Sequence, residues 1–227
     1  MIFGMSGRTG HPRSAPDTSL TGMDLRAAIA DERRRIADLL DSLSPGQLDA
    51  PSLCGDWTVK EVAGHLVAAT GRPAFGFLAK NGFNLHKANS RLAVQTAERP
   101  VAELAQALRD TADTIAKAPI VGYPGQLTDA QVHGQDMRRP LGLPHGLQLD
   151  RLKVSLDFMV GGHAIGFAPK RRLAGLRWEA SDLNWFSGVG PLVAGPAEAL
   201  LMAMCGRGAV LPELDGPGVR ILDRRIA

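Results

Sequence analysis

The chain has 227 residues, of which 44% are hydrophobic and 22% are charged. This balance is typical of a globular protein with a buried core and excludes a largely disordered chain. The net charge of +3 arises from 26 basic and 23 acidic side chains. The basic residues are mostly dispersed, and short clusters such as 33–35 are typical of solvated faces. Because no basic stripe is interleaved with aromatic residues, we expect no nucleic-acid partner.

The chain contains two cysteines, Cys54 and Cys205, which are far apart in sequence. A disulfide framework is therefore not expected, and a reducing compartment is predicted. No apolar run approaches the roughly 20 residues that a membrane span requires, and the N-terminus lacks the apolar stretch of a signal peptide. We therefore expect a cytoplasmic protein without a membrane partner.

The first elements are a leader and two helices. Residues 1–22 are rich in Gly, Ser, Thr, Pro and Arg, which predicts a flexible leader. Apolar residues recur at helical spacing over 23–43 and predict an amphipathic helix. Thr58 and Glu61 have the spacing of a capping box, which predicts the start of a second long helix that carries His65.

More helical segments are predicted downstream. Their ranges are 74–97, 100–115, 127–138 and 149–167. Proline and glycine residues predict a loop over 119–125. Pro140 ends the third of these segments because the residue before a proline disfavours helical backbone. The longer helices together predict a helical bundle.

The pattern changes after Lys170, where short extended segments replace the long helices. The predicted extended segments are 173–180, 189–195 and 219–222. A helix is predicted over 196–205, between the second and third of them. The predicted fold is mainly α, with a four-helix bundle over 23–168 followed by a small α/β C-terminal domain over 169–227.

The strongest chemical signal comes from His65, Asp129 and His133. Residues i and i+4 share one face of a helix, so Asp129 and His133 can direct an oxygen and a nitrogen to one point, with His65 on a neighbouring helix. Three N/O ligands without a fourth describe a catalytic metal site with an open position. The same residues also fit a core histidine and a surface i,i+4 pair, and the spacing alone does not separate these interpretations.

Two longer motifs surround these residues. They are G-D-W-T-V-K-E-V-A-G-H-L over 55–66 and V-H-G-Q-D-M-R-R-P-L-G over 132–142. The C-terminal part adds A-S-D-L-N-W-F-S-G-V-G-P-L-V-A-G-P-A-E-A-L over 180–200 and C-G-R over 205–207. In this order the motifs resemble the mycothiol-dependent maleylpyruvate isomerase family, within the DinB/YfiT-like metal-binding superfamily. The resemblance extends from Met23 to the end of the chain.

The resemblance implies a DinB-like four-helix bundle that binds a divalent metal, most often zinc, through His65, Asp129 and His133. The characterised isomerase pattern has a glutamate at the position of Asp129. Because aspartate is one methylene shorter, the metal must lie closer to that helix or be bound more weakly. The resemblance also implies mycothiol as a cofactor. The expected function is an isomerase or S-transferase in which the metal activates a thiol toward a small electrophile.

Other residues of the motifs have simpler interpretations. We interpret Asp136, Arg138 and Arg139 as residues that end a helix and form ion pairs, and Trp57 as a hydrophobic staple at a helix entrance. Their place in the motifs also leaves a role in substrate binding open.

The acidic cofactor or substrate requires a basic group, for which Arg207 and Arg220 are the catalytic candidates. Cys54 and Cys205 are poor candidates for a nucleophile because neither has a base beside it in sequence. The expected partners are a small-molecule substrate and a low-molecular-weight thiol, bound by a monomer or a homodimer. An alternative remains open, in which the chain is a non-enzymatic module that binds a metal or a small ligand, as a monomer or a homodimer.

Overall fold

The computed structural model of the chain describes residues 24–70, 85–162 and 164–226. The predicted leader, and residues 74–84 of the helical segment predicted over 74–97, lie outside these ranges. The described part is mainly helical and has one three-stranded sheet near its C-terminal end. The predicted fold class is therefore confirmed. None of the described helices is both long and apolar enough to cross a lipid bilayer.

The elements are numbered here within the described part of the chain. The helices are α1 (Leu25–Ser42), α2 (Pro45–Leu48), α3 (Val59–Thr70), α4 (Leu85–Ala97), α5 (Val101–Asp110), α6 (Gly122–Arg138), α7 (Leu149–Val160), α8 (Lys170–Leu173), α9 (Ala197–Met204) and α10 (Val219–Ile226). The strands are β1 (Arg177–Ala180), β2 (Phe186–Ser187) and β3 (Leu192–Gly195). A 3-10 helix, Gly208–Glu213, lies between α9 and α10.

Local side-chain hydrogen bonds fix the starts of the first long helices. Asp24 caps α1 by accepting hydrogen bonds from two backbone amides of its first turn. At the start of α3, the Glu61 carboxylate accepts from the Thr58 amide at 2.7 Å, and the Thr58 hydroxyl accepts from the Glu61 amide at 3.2 Å. The predicted capping box is confirmed. It holds the first turn of the helix that carries His65.

Several predicted boundaries differ from the structure. The loop predicted over 119–125 is wrong in its second half, because α6 begins at Gly122. Pro124 is the third residue of that helix. Backbone amides in the first turn have no intrahelical acceptor, so a proline there costs no helical hydrogen bond. The helix predicted over 149–167 ends at Val160, where Gly161 forms the C-cap. The helix predicted over 100–115 ends at Asp110.

The strand predicted over 219–222 is wrong, since these residues belong to α10. Leu222 is fully buried and Val219 lies three residues before it, on the same face of the helix. Two turns of helix give too few repeats for periodicity to distinguish a helix from a strand.

The small sheet has the order β2-β1-β3, in which β1 pairs antiparallel with β2 and parallel with β3. The extended segment predicted over 173–180 is a strand only from Arg177, because α8 and Gly175, at a φ of 67°, precede it. The segment predicted over 189–195 is a strand from Leu192, and the helix predicted over 196–205 is confirmed as α9. Strand β2 was not predicted.

The packing of the helices places α3 beside α6. Helix α1 packs against α5 and α6, and α3 packs against α4, α5 and α6. A second apolar cluster joins α7, α9 and the sheet, and it includes the buried residues Leu156, Trp178 and Leu200. Helix α7 therefore packs across the boundary predicted between residues 168 and 169, and the division into two domains stays a prediction.

Candidate metal centre

The structure brings His65 of α3 together with Asp129 and His133 of α6. Asp129 Oδ1 lies 3.8 Å from His65 Nε2 and 3.5 Å from His133 Nε2. One potential ligand atom of each residue lies within 4.8 Å of the other two. In a tetrahedral zinc site, bond lengths of about 2.0–2.1 Å place neighbouring ligand atoms about 3.3 Å apart. Small side-chain movements therefore suffice to close the three residues around one ion.

The three side chains are only partly covered. Their exposed fractions are 16% for His65, 27% for Asp129 and 11% for His133. The Trp57 ring covers one flank of the cluster, with its centroid 5.3 Å from that of His65 and 6.5 Å from that of His133. Asp129 is the most accessible member. The cluster thus combines an apolar flank with a side that a small molecule can reach.

A buried carboxylate supports His133 from behind. His133 Nδ1 lies 2.9 Å from Asp136 Oδ2, and the Asp136 side chain is fully buried. A carboxylate in this position accepts a hydrogen bond from Nδ1–H and leaves the Nε2 lone pair of a neutral imidazole free for a metal. This contact therefore orients the ring and sets the tautomer that metal ligation requires.

Arg207 holds Asp136 in turn. It lies in the connection between α9 and the 3-10 helix, and it donates from Nε at 2.9 Å and from Nη2 at 2.5 Å to the two carboxylate oxygens of Asp136. Such a two-point pair is a strong and geometrically specific contact. A residue of the C-terminal region thus fixes a side chain that supports the candidate centre.

The charges of the cluster perturb one another. Burial raises the pKa of the Asp129 carboxyl, but the neighbouring His133 and His65 side chains outweigh it and lower the pKa to about 2. Burial lowers the pKa of His133, and the Asp129 and Asp136 carboxylates raise it by more, well above its ordinary value. The metal-free cluster therefore favours an imidazolium between two carboxylates. A metal ligand must be a neutral imidazole, so metal binding must release that proton.

A second group of potential ligands shares His133. Atoms of Cys54, His133 and Asp136 also lie within 4.8 Å of one another, and Cys54 is a half-buried free thiol. The Asp136 carboxylate is already occupied by Arg207. The His65, Asp129 and His133 group offers the better donor set, because two imidazoles and one carboxylate form a set that zinc accepts. Among the described residues, no arginine pairs with the Asp129 carboxylate.

The catalytic candidates from the sequence occupy different places. Arg207 contacts Asp136, so its guanidinium is engaged with the support of His133. Arg220 is exposed on α10. No hydrogen bond or ion pair joins Arg220 to the three candidate ligands among the described residues. Cys205 is buried, and burial raises the pKa of its thiol to about 12, which favours the unreactive protonated form.

The ion-pairing interpretation of the second motif agrees with the structure for Asp136 and Arg139, whereas Arg138 donates to the backbone carbonyl oxygen of Arg35 at 3.2 Å. Arg139 pairs with Glu198 at 2.8 Å and with Glu213 at 2.5 Å, and Asp136 pairs with Arg207. The support of His133 by Asp136 was not predicted. Its signal was the i,i+3 spacing of these two residues, which places them on one helical face.

The fold and the cluster of two histidines and one aspartate place the chain among helical-bundle proteins with a candidate metal centre. Residues 29–138, which contain all three residues, match the family described as the mycothiol maleylpyruvate isomerase N-terminal domain. The match covers slightly less than half of the chain, and over that region it confirms the resemblance indicated by the motifs. No curated protein and no solved structure gives a significant match to the chain.

Proposed function

We propose that the chain is a divalent-metal-dependent enzyme that uses a low-molecular-weight thiol, as an isomerase or an S-transferase. The observation that supports this proposal is the convergence of His65, Asp129 and His133 within the matched family region. Zinc is the proposed metal because it accepts imidazole and carboxylate ligands in an open, three-ligand site. Mycothiol is the proposed thiol because the description of the family names it.

Each residue of the centre has a distinct task in this proposal. His65, Asp129 and His133 hold the metal, Asp136 keeps His133 Nε2 free, and Arg207 keeps Asp136 in place. When bound, a divalent metal favours the deprotonated form of a thiol or water. The accessible side of Asp129 would admit the thiol and the electrophile, and the Trp57 ring lies beside the two histidines.

The two proposed reactions begin in the same way. The thiol sulfur adds to an activated carbon of the electrophile and forms a carbon–sulfur bond. In isomerisation, the former double bond rotates as a single bond, the carbon–sulfur bond breaks and the thiol is regenerated. In S-transfer, the carbon–sulfur bond remains in the product and a leaving group or an opened epoxide oxygen takes the electron pair. Both reactions use one geometry.

Metal analysis with matched variants tests the first step of this proposal. We expect the purified protein, after zinc is offered and excess is removed, to hold about one zinc per chain. We expect His65→Ala and His133→Ala to lose it, because two remaining ligands do not hold a catalytic metal. His145→Ala is the control, since this histidine lies beside Glu198 outside the cluster. Full zinc occupancy in His133→Ala would show that the ligand assignment is wrong.

Thiol binding tests the second step. Calorimetry of the zinc-loaded protein with mycothiol should give saturable binding, with glutathione as the comparison. Absence of binding by either thiol would favour the non-enzymatic alternative. A cytoplasmic location, the absence of a nucleic-acid partner and a monomeric or homodimeric state stay predictions.

A further inference from the structure

A small cleft lies beside the candidate metal centre, between α1, α3, α5 and α6. Its volume is about 40 Å³. The polar side chains in its lining are those of Arg33, Gln126 and Asp129, and apolar walls include Ile36, Leu66 and Leu108. Asp129 therefore borders both the cleft and the metal centre. A group bound in the cleft would lie next to the Asp129 carboxylate, one of the three candidate ligands.

Arg33 differs from the arginines that follow it in sequence. Arg34 pairs with Asp113, and Arg35 pairs with Glu32. Arg33 is half-buried, and its Nη1 donates to the backbone carbonyl oxygen of Thr111 at 2.6 Å. Within the described part of the chain, no carboxylate oxygen lies within ion-pair distance of its guanidinium.

A half-buried cation without a counter-ion is costly, because burial removes water that would otherwise stabilise the charge. Burial lowers the pKa of Arg33, and the more distant Asp129 carboxylate raises it. A metal held by Asp129 would offset the charge of that carboxylate. The Arg33 guanidinium would then be a positive charge in the lining of the cleft that no carboxylate neutralises.

We infer that Arg33 and the cleft form an anion subsite that binds a carboxylate of the ligand. This inference rests on the proposed function. It gives Arg33 the role of the basic group, for which the sequence had suggested Arg207 or Arg220. A volume of about 40 Å³ admits a carboxylate group rather than a complete substrate. The guanidinium fork matches a carboxylate at two points, and apolar walls strengthen the attraction by excluding water.

The test is calorimetry of the zinc-loaded protein with maleate as the probe and its uncharged diamide as the comparison. We expect maleate to bind at least tenfold more tightly than the diamide. We expect Arg33→Gln to weaken maleate binding at least tenfold and Arg33→Lys to weaken it several-fold, because lysine keeps the charge but loses the fork. Arg34→Gln is the matched control and should bind maleate as the unaltered protein does.

Two results would overturn the inference. One is unchanged maleate affinity in Arg33→Gln, which would mean that the metal alone binds the probe. The other is equal binding of maleate and the diamide. Because Arg33 also contacts Thr111, thermal unfolding and zinc content are measured for every variant. If Arg33→Gln does not fold, unchanged maleate affinity in Arg33→Lys serves as the contradicting result.

The same measurements separate this inference from the proposed function. Absence of zinc from the unaltered protein contradicts the proposed function. Normal zinc content combined with maleate affinity that is insensitive to Arg33 contradicts the anion subsite alone.

Discussion

The two sides of the candidate centre are built differently. On the supported side, His133 rests on the fully buried Asp136, which Arg207 holds at two points. On the open side, Asp129 is the most exposed of the three candidate ligands and borders the cleft that contains Arg33. In the proposed function, the supported side would fix the geometry of the metal and the open side would admit the reactants. Substitutions on the supported side should therefore cost more metal affinity than conservative ones on the open side.

The largest effect is expected on the supported side. Asp136→Asn removes the negative charge of the carboxylate that accepts a hydrogen bond from His133 Nδ1–H, and it leaves Arg207 buried without its counter-ion. We expect zinc affinity to fall about 10- to 100-fold, the usual cost of losing such a support. Competition with a chromophoric zinc chelator measures this change.

The control for this prediction is Arg139→Gln. Arg139 lies in the same motif and pairs with Glu198 and Glu213, away from the cluster. Its zinc affinity should be unchanged. Unaltered zinc affinity in Asp136→Asn would contradict the claim that Asp136 supports His133 as a metal ligand.

The second prediction concerns pH. The carboxylates raise the pKa of His133 above neutrality in the metal-free protein, so zinc must displace one proton throughout the neutral range. Raising the pH lowers the concentration of protons that compete with zinc for His133, and it should strengthen apparent zinc binding by about tenfold per pH unit between about pH 6 and 8. Zinc titrations in buffers with different ionisation enthalpies should show release of about one proton. Affinity that does not vary with pH would contradict this charge arrangement.

The smallest effect is expected from Asp129→Glu on the open side. The added methylene extends the carboxylate toward the two histidine nitrogens, which lie 3.5 and 3.8 Å from Asp129 Oδ1. The neighbouring cleft can accommodate the extra group. We expect zinc affinity to rise by a factor of a few, with little change in the melting temperature. Asp129→Asn, which keeps the length but removes the charge, should weaken binding. A tenfold loss in Asp129→Glu would show that the open side is also rigid.

The sequence predicted the parts of the site that lie close together on regular helices. The Thr58 and Glu61 capping box set the start of α3, and helical spacing put Asp129 and His133 on one face. The meeting of His65 with the other two depends on packing between α3 and α6. The family motifs, rather than periodicity, indicated that meeting.

The sequence did not predict contacts that depend on tertiary packing alone. Asp136 and Arg207 are 71 residues apart, and no spacing rule joins residues across that distance. The cluster 33–35 was interpreted as a solvated face, yet Arg33 alone turns toward the cleft while Arg34 and Arg35 form ion pairs. Helix α10 was mistaken for a strand because two turns are too short for a periodic pattern.

The pairing of Arg207 with Asp136 also limits how the molecule can be shortened. The region that matches the family ends at Arg138, so a fragment cut there would keep all three candidate ligands and lose the guanidinium that neutralises Asp136. That fragment would also lose α7, which packs against α6 in the full chain, so it would lack both the ion-pair partner of Asp136 and part of the packing around the candidate centre. The region that matches the family is therefore not expected to form the centre by itself, and a chimaera that carries it should also carry the C-terminal region.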